Sequence, residues 1–262
     1  MVTSVRASAR ETRALATQAS GRLPSPRVVL ALAGIETRKI LVHPVFLGTM
    51  GVCALFVTRA IGSNGNLGWL VGGLAVGLVA GGFLSVNLAT QRARRDRVLE
   101  LFGSLPAPGE SRTLAVLLGA VFGPVVLASL VAGIGGAILE TNAKIAPYVD
   151  LSLIVQIPLT VAALNALGVA LGRWIPSPVT APVVLVAQVM TGLVWVIPWV
   201  VPTSTGIRVG RHLTFLVSFI VFSSAAALVR DRRTPLRLIV AGLALALMVG
   251  AASTQLPPGG LI

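Results

Sequence analysis

The chain contains few charged side chains, and acidic ones are the scarcest. Only 11% of its 262 residues are charged, eight are Asp or Glu, and 55% are apolar. A soluble domain carries about 25% charged residues. Too few charges are present here to cover a water-exposed surface. The composition therefore excludes an ordinary soluble protein and predicts an integral membrane protein.

Cysteine, tyrosine and histidine are almost absent. The only cysteine, Cys53, lies in an apolar run, which excludes a disulfide framework and a thiolate metal site. The formal net charge is +13, but the arginines form short clusters and the chain has one tyrosine, so no basic face with stacking rings results. We therefore predict neither nucleic-acid binding nor a bound metal ion.

The two histidines also argue against an enzyme. His43 is expected at the inner membrane interface and His212 at the outer one, so they cannot share a site. Neither the His-Glu-x-x-His nor the Gly-x-Ser-x-Gly motif occurs. We predict that the chain has no catalytic residue.

Long apolar runs fill more than half of the chain. About 20 apolar residues cross a bilayer as a helix, since backbone groups in lipid must bond internally. Seven runs have this character: 44–61, 67–89, 113–139, 151–171, 179–200, 213–229 and 236–254. The expected fold is an all-α integral membrane protein, a polytopic helical bundle of six core spans plus a seventh. The run 213–229 is the shortest, and 236–254 follows a break at Pro235; the alternative is six spans, with one of these two runs lying in the membrane interface.

The remaining segments suggest a domain layout and an orientation. Residues 1–26 are polar, hold no apolar signal segment, and are expected to form a cytosolic tail. Residues 27–43 are predicted to form an amphipathic interfacial helix, residues 44–229 the transmembrane core, and residues 230–262 a cytosolic basic turn, the extra span and a short tail.

The distribution of Lys and Arg predicts which way the chain is inserted. With the N-terminus in the cytosol, the inner segments carry 17 Lys and Arg residues and the outer segments four. Arginine outnumbers lysine 19 to two, and alanine and glycine are abundant, which is typical of a GC-rich bacterial genome. We predict a multi-pass protein of the bacterial inner (cell) membrane.

Glycine and proline inside the runs bear on helix packing. Glycines recur four residues apart in pairs such as Gly77/Gly81, Gly119/Gly123 and Gly168/Gly172, and this spacing lets helices approach closely. The contact lies either within one bundle or between two subunits. Prolines that can kink a helix are Pro124, Pro158, Pro182 and Pro198. They fit a bundle that opens and closes, or a static one.

None of the eight acidic residues lies inside a predicted span. An ion-driven carrier usually needs an embedded carboxylate, so its absence argues against a secondary transporter. The polar uncharged residues in the spans are Asn87, Gln156, Asn165 and Gln188. They are expected either to form interhelical hydrogen bonds or to line a substrate path.

The loop 90–112 has an unusual composition. It opens with Arg92, Arg94, Arg95 and Arg97 and continues with an apolar helical face of Val98, Leu101, Phe102 and Leu105, before prolines end it. An ordinary inner loop needs only positive charge. An apolar face rimmed by charge is typical of a surface that docks another protein.

This arrangement resembles the membrane subunit of an ABC-2-type transporter. The resemblance covers residues 26–229: an interfacial helix, two spans, a basic loop with Arg95-Asp96, Leu99-Glu100 and Ser104-Leu105-Pro106, and a third span starting near Arg112. It implies that 92–105 is the coupling helix held by the ATPase. The residues implied in that role are Arg92, Arg94, Arg95, Asp96, Arg97, Leu99, Glu100, Leu101, Phe102 and Leu105.

The resemblance also implies partners. The permease would pair with a second permease, as a homodimer or heterodimer, and with ATP-binding cassette subunits that carry ATP and Mg. Neither Lys39 nor Lys144 follows a glycine, so this chain holds no phosphate-binding loop and no cofactor of its own. The expected function is ATP-driven export of an amphipathic drug-, peptide- or lipid-like molecule. The alternative is a membrane assembly or sensor subunit that transports nothing.

Overall fold

The computed structural model describes residues 25–62, 67–95, 109–141, 151–194, 206–231 and 233–253. Within these ranges the chain forms eight helices and no strand. The helices are α1 (Pro26–Leu41), α2 (Pro44–Gly62), α3 (Leu67–Arg95), α4 (Gly109–Thr141), α5 (Leu151–Trp174), α6 (Thr180–Val194), α7 (Gly206–Asp231) and α8 (Pro235–Ser253). The all-helical prediction is confirmed for these residues.

Four segments within these helices are long and apolar enough to cross a membrane. They are Glu110–Ile134, Val155–Trp174, Val209–Asp231 and Pro235–Ser253. Pro44–Leu55 in α2 is apolar but shorter. Each of the seven predicted runs overlaps a helix, although the described residues meet the length and hydropathy required of a span in four of them.

Helix α7 differs most from its predicted run. The run 213–229 looked short because Arg211 and His212 interrupt the hydropathy just before it. In the structure the helix begins at Gly206 and ends at Asp231, for a length of 26 residues. His212 is buried inside the bundle. The helix therefore includes this polar residue, at which hydropathy alone would have ended it.

Helix α5 lies at the centre of the bundle. It packs against α3, α4 and α7, while α2 packs on α3, α8 on α7, and α1 on α4. The apolar span of α5 is 72% buried, whereas that of α8 is only 11% buried. Helix α8 packs mainly against α7. Most of its apolar surface is therefore left for lipid or another chain.

Glycines let these helices approach one another. A Cβ atom on Gly168 would lie 3.0 Å from the Phe83 carbonyl oxygen of α3, and one on Gly119 would lie 2.9 Å from the Ala33 carbonyl oxygen of α1. Gly77 and Gly81 likewise receive the Cys53 and Thr49 side chains of α2. At these positions the glycine spacing serves contacts within one bundle, which confirms the first of the two interpretations.

The prolines fall in three different situations. Pro124 and Pro158 lie inside α4 and α5, where each removes a backbone donor. Pro182 lies in the first turn of α6, where its missing N–H costs no hydrogen bond and does not interrupt the helix. Pro198 lies outside the described residues.

Helix α1 packs across the first half of α4. Its buried residues are Val29, Ala33 and Ile40, and Val29 and Ala33 form a cluster with Ala115 of α4. Val28, Leu32 and Ile35 recur at helical spacing along α1, and of these Val28 and Ile35 are exposed. The helix therefore has two apolar faces, one for α4 and one without a protein neighbour among the described residues.

Candidate functional site

Ion pairs gather at one end of the bundle, where α4 and α8 begin and α5 and α7 end. We call the end that carries Glu110, Arg173, Asp231 and Arg237 the charged end. The Arg237 Nη2 atom donates to Glu110 Oε2 at 2.8 Å, and its Nη1 atom donates to the Leu228 carbonyl oxygen at 3.1 Å. The one guanidinium of Arg237 thus joins α8 to α4 and α7.

A second ion pair joins α5 to α7 and α4. Arg173 pairs with Asp231, and the Thr113 hydroxyl donates to the same carboxylate. The side chains of Arg173 and Asp231 are only 25% and 12% exposed. Nearby, the Trp174 indole donates to the Ala226 carbonyl oxygen at 2.9 Å. Four helices are therefore held together at the charged end by charge-assisted and neutral hydrogen bonds.

The last turns of α3 are fixed to α5 by two amide side chains. Asn87 Nδ2 donates to the Gly168 carbonyl oxygen at 3.1 Å. Gln91 Nε2 donates to Asn87 Oδ1 at 2.7 Å and to the Ser177 carbonyl oxygen, just beyond α5, at 2.9 Å. These bonds explain why α3 continues through polar residues to Arg95, six residues past its predicted run.

The structure describes little of the predicted coupling segment. Arg92 is exposed on the last turn of α3, one residue after buried Gln91. Arg94 and Arg95 are helical in their backbone. The other predicted coupling residues lie outside the described residues: Asp96, Arg97, Leu99, Glu100, Leu101, Phe102 and Leu105. Described residues therefore fix the two points between which that segment runs, at Arg95 and Gly109.

The four predicted pathway residues have different environments. Asn87 bonds across to α5, and Asn165 Nδ2 donates to the Ala120 carbonyl oxygen of α4 at 2.9 Å. Both side chains are fully buried, and Asn165 Oδ1 has no hydrogen-bond partner within the described chain. Gln156 of α5 is also buried, but neither its Oε1 nor its Nε2 atom has a hydrogen-bond partner within the described chain. The side chain of Gln188 lies outside the described residues.

The two histidines lie in opposite halves of the bundle. His43 is in the turn between α1 and α2, close enough to Arg92 to feel its charge; burial, and secondarily that cation, lowers the pKa of His43 below its usual value. His212 lies near the start of α7, far from the charged end where that helix finishes. Among the described residues no three His, Cys, Asp or Glu side chains gather as a metal site would require.

Sequence reasoning did not find the ion pairs of the charged end. Glu110 and Arg237 are 127 residues apart, and Thr113 and Asp231 are 118 apart. The signal available was that two of the eight acids and several arginines flank predicted spans on the same face. That pattern predicts that these charges lie at one level of the bundle, but it does not predict which acid pairs with which arginine.

Comparison with known proteins finds no matching family model, no matching curated protein and no matching solved structure. What the site can do must follow from its own chemistry. The charged end holds four helices together through ion pairs and hydrogen bonds. The opposite half holds neutral polar atoms in an apolar surround.

Proposed function

We propose that this chain is the membrane-spanning permease subunit of an ATP-driven transporter. Its cargo is an amphipathic drug-, peptide- or lipid-like molecule that it exports. ATP hydrolysis takes place on a separate subunit, which docks on the loop 90–112. With a cytosolic N-terminus and six core spans plus a seventh, as we propose, that loop and the charged end lie on the cytosolic side of a bacterial cell membrane.

The anchoring of both helices that flank the docking loop carries this proposal. Helix α3 ends at Arg95, about one turn after Gln91, which is bonded to Ser177 beyond α5. Helix α4 leaves the loop at Gly109, and its first turns are tied to α8 through Glu110 and to α7 through Thr113. A displacement of the loop therefore reaches α5, α7 and α8 within one helical turn of where it acts.

A passive loop would not require such connections. A loop that only reverses the chain places no demand on its flanking turns, and polar fixation of both ends costs side-chain entropy. Fixed ends are useful when force is applied to the segment between them. Two permease copies, or this chain and a different permease, would complete the transport path, and the exposed face of α8 leaves room for lipid or a second chain.

Copurification from membranes that contain the natural partners tests docking. We expect an ATP-binding protein to be recovered with the wild-type chain and to be lost on deletion of 92–105. The double substitution Leu101→Ser/Phe102→Ser removes apolar surface without shortening the chain. Arg233→Ala changes an exposed charge at the same end and serves as the matched control. An unchanged yield of partner with the deleted chain refutes the docking role.

Flux measurements separate transport from the alternative of an assembly or sensor subunit. Purified complex in proteoliposomes should move a fluorescent phospholipid analogue or an amphipathic dye only when ATP is supplied to the docked subunit. Association with an ATP-binding protein but no ATP-dependent flux of either probe would favour the alternative.

A further inference from the structure

Two buried side chains in the half of the bundle away from the charged end, Gln156 and His212, carry polar atoms without a hydrogen-bond partner in the described chain. Gln156 of α5 is 2% exposed and His212 of α7 is 3% exposed. Within the described chain, Gln156 Oε1, Gln156 Nε2 and His212 Nδ1 form no hydrogen bond. Each such atom costs about 1–3 kcal/mol when it is left unpaired. Three of them at one site favour a bound polar group.

The helix register brings these two residues to the same level. Helices α5 and α7 run parallel, because Trp174 bonds to Ala226 and Arg173 pairs with Asp231 near both C-termini. Both helices rise by the same distance per residue. Counting back equal numbers of residues along α5 and α7 from each of these two contacts therefore places His212 opposite residues 154–160 of α5. Gln156 lies in the middle of that stretch.

The two side chains also lie on facing stripes. Ala170 of α5 and Ala227 of α7 belong to one buried cluster, to which α1, α3 and α4 also contribute. Gln156 is about four turns before Ala170, and His212 is about four turns before Ala227, so each returns to nearly the same face of its helix. The intervening residues on α7, Leu216 and Ser223, are buried along the same line.

We propose that Gln156 and His212 form a binding site for a neutral hydrogen-bonding group, such as the hydroxyl of an amphipathic molecule. The Gln156 amide offers a hydrogen-bond donor and an acceptor, and the imidazole Nδ1 atom of His212 offers one further donor or acceptor. Neighbouring buried positions on the two helices are apolar or neutral. Arg211, the adjacent cation, is exposed rather than buried. A charged headgroup would lose its hydration here without an opposite charge beside it.

The interpretation of this site as a cargo site rests on the proposed function. Whether the site binds such a group is tested without ATP or a partner subunit. The probe is 1-octanol, with n-octane as the match that lacks a hydroxyl and octanoate as the charged match. The protein, labelled with ¹⁵N-histidine, is reconstituted into lipid membranes. His212→Asn assigns its ring signals, and His43 provides an internal reference.

We expect 1-octanol to shift the His212 ring nitrogens saturably, with n-octane and octanoate leaving them in place. Gln156→Met, which keeps side-chain length, should weaken octanol binding by about three- to tenfold, the effect of one hydrogen bond. Thr160→Val is the control, because the Thr160 hydroxyl already donates to the Gln156 carbonyl oxygen at 2.8 Å within α5. It should bind octanol as the wild type does.

Three results would overturn the proposal: an equal shift with n-octane, a stronger shift with octanoate, or unchanged octanol binding in Gln156→Met. The octanol response is independent of the docking experiments. A saturable octanol response without any ATP-binding partner would leave the site standing and the permease assignment wrong. A recovered partner with no octanol response would leave the permease assignment standing and the site wrong.

Discussion

Two ion pairs of equal length let the contribution of the charged end be measured against a matched reference. Arg237–Glu110 and Lys39–Glu36 are both 2.8 Å long. The first joins α8 to α4 with side chains 22% and 25% exposed. The second lies within α1, three residues apart, and its lysine is 48% exposed. The perturbation is Glu110→Gln, with Glu36→Gln as the control.

The expected magnitudes follow from burial and connectivity. Exposed local pairs contribute about 0.2–1 kcal/mol, so Glu36→Gln should cost no more than about 0.5 kcal/mol. Loss of Glu110 leaves Arg237 largely buried without that counterion. Breaking a fully buried pair costs about 3–5 kcal/mol, and partial exposure reduces this to about 2 kcal/mol. Glu110 also lies in the first turn of α4, where a negative charge is favourable.

Thermal unfolding of the purified protein in one detergent measures both variants. About 2 kcal/mol should lower the Tm by roughly 4–8 °C, whereas the control should shift it by less than about 2 °C. Equal shifts for the two variants would refute the claim that the charged end holds the bundle together. A shift in Glu110→Gln that disappears in the Arg237→Met background would assign the loss to this pair.

Three further predictions address other contacts. Gly119→Ala should destabilise the protein by about 1–3 kcal/mol, since a Cβ there meets backbone atoms of Ala33 and Thr37; Gly133→Ala on the same helix meets nothing within 4 Å and should leave the Tm equal or higher. Gln156→Met should raise the Tm in the absence of probe, because it removes two unpaired buried atoms; a clear fall would contradict that interpretation. Because the pKa of His43 is lowered in the folded state, its contribution to folding stability is fully present above about pH 6.5 and is lost as the pH falls through the folded-state pKa. The free energy of unfolding, measured between pH 5 and 8, should therefore fall toward low pH, and His43→Gln should reduce this dependence.

Hydropathy predicted the existence and order of the helices well. The predicted runs 44–61, 151–171 and 236–254 differ from α2, α5 and α8 by three residues or fewer at each end. Errors arose where polar residues continue a helix because they are bonded or buried within the bundle. Gln91, bonded to Ser177, prolongs α3 in this way, and buried His212 lies inside the extended start of α7. Hydropathy cannot register such bonding or burial, since both depend on other helices.

The site was less accessible to sequence reasoning than the fold. Asn87, Gln156 and Asn165 were all selected as polar residues in apolar runs. Only the structure separates the first and third, which bond across helices, from Gln156, which does not. His212 was assigned to the outer interface because it directly precedes the predicted run 213–229. Its place beside α5 depends on a helix register that is set by contacts at the opposite end of the bundle.

Photo-crosslinking from the docking loop tests the central claim most directly. A photoreactive amino acid is placed at Phe102, and in a control chain at exposed Leu243 of α8. After illumination of native membranes, covalent products are identified by mass spectrometry. The account predicts a product between position 102 and a protein with a nucleotide-binding phosphate loop, and none from position 243. Products from position 102 that contain only lipid, or no protein at all, would contradict it.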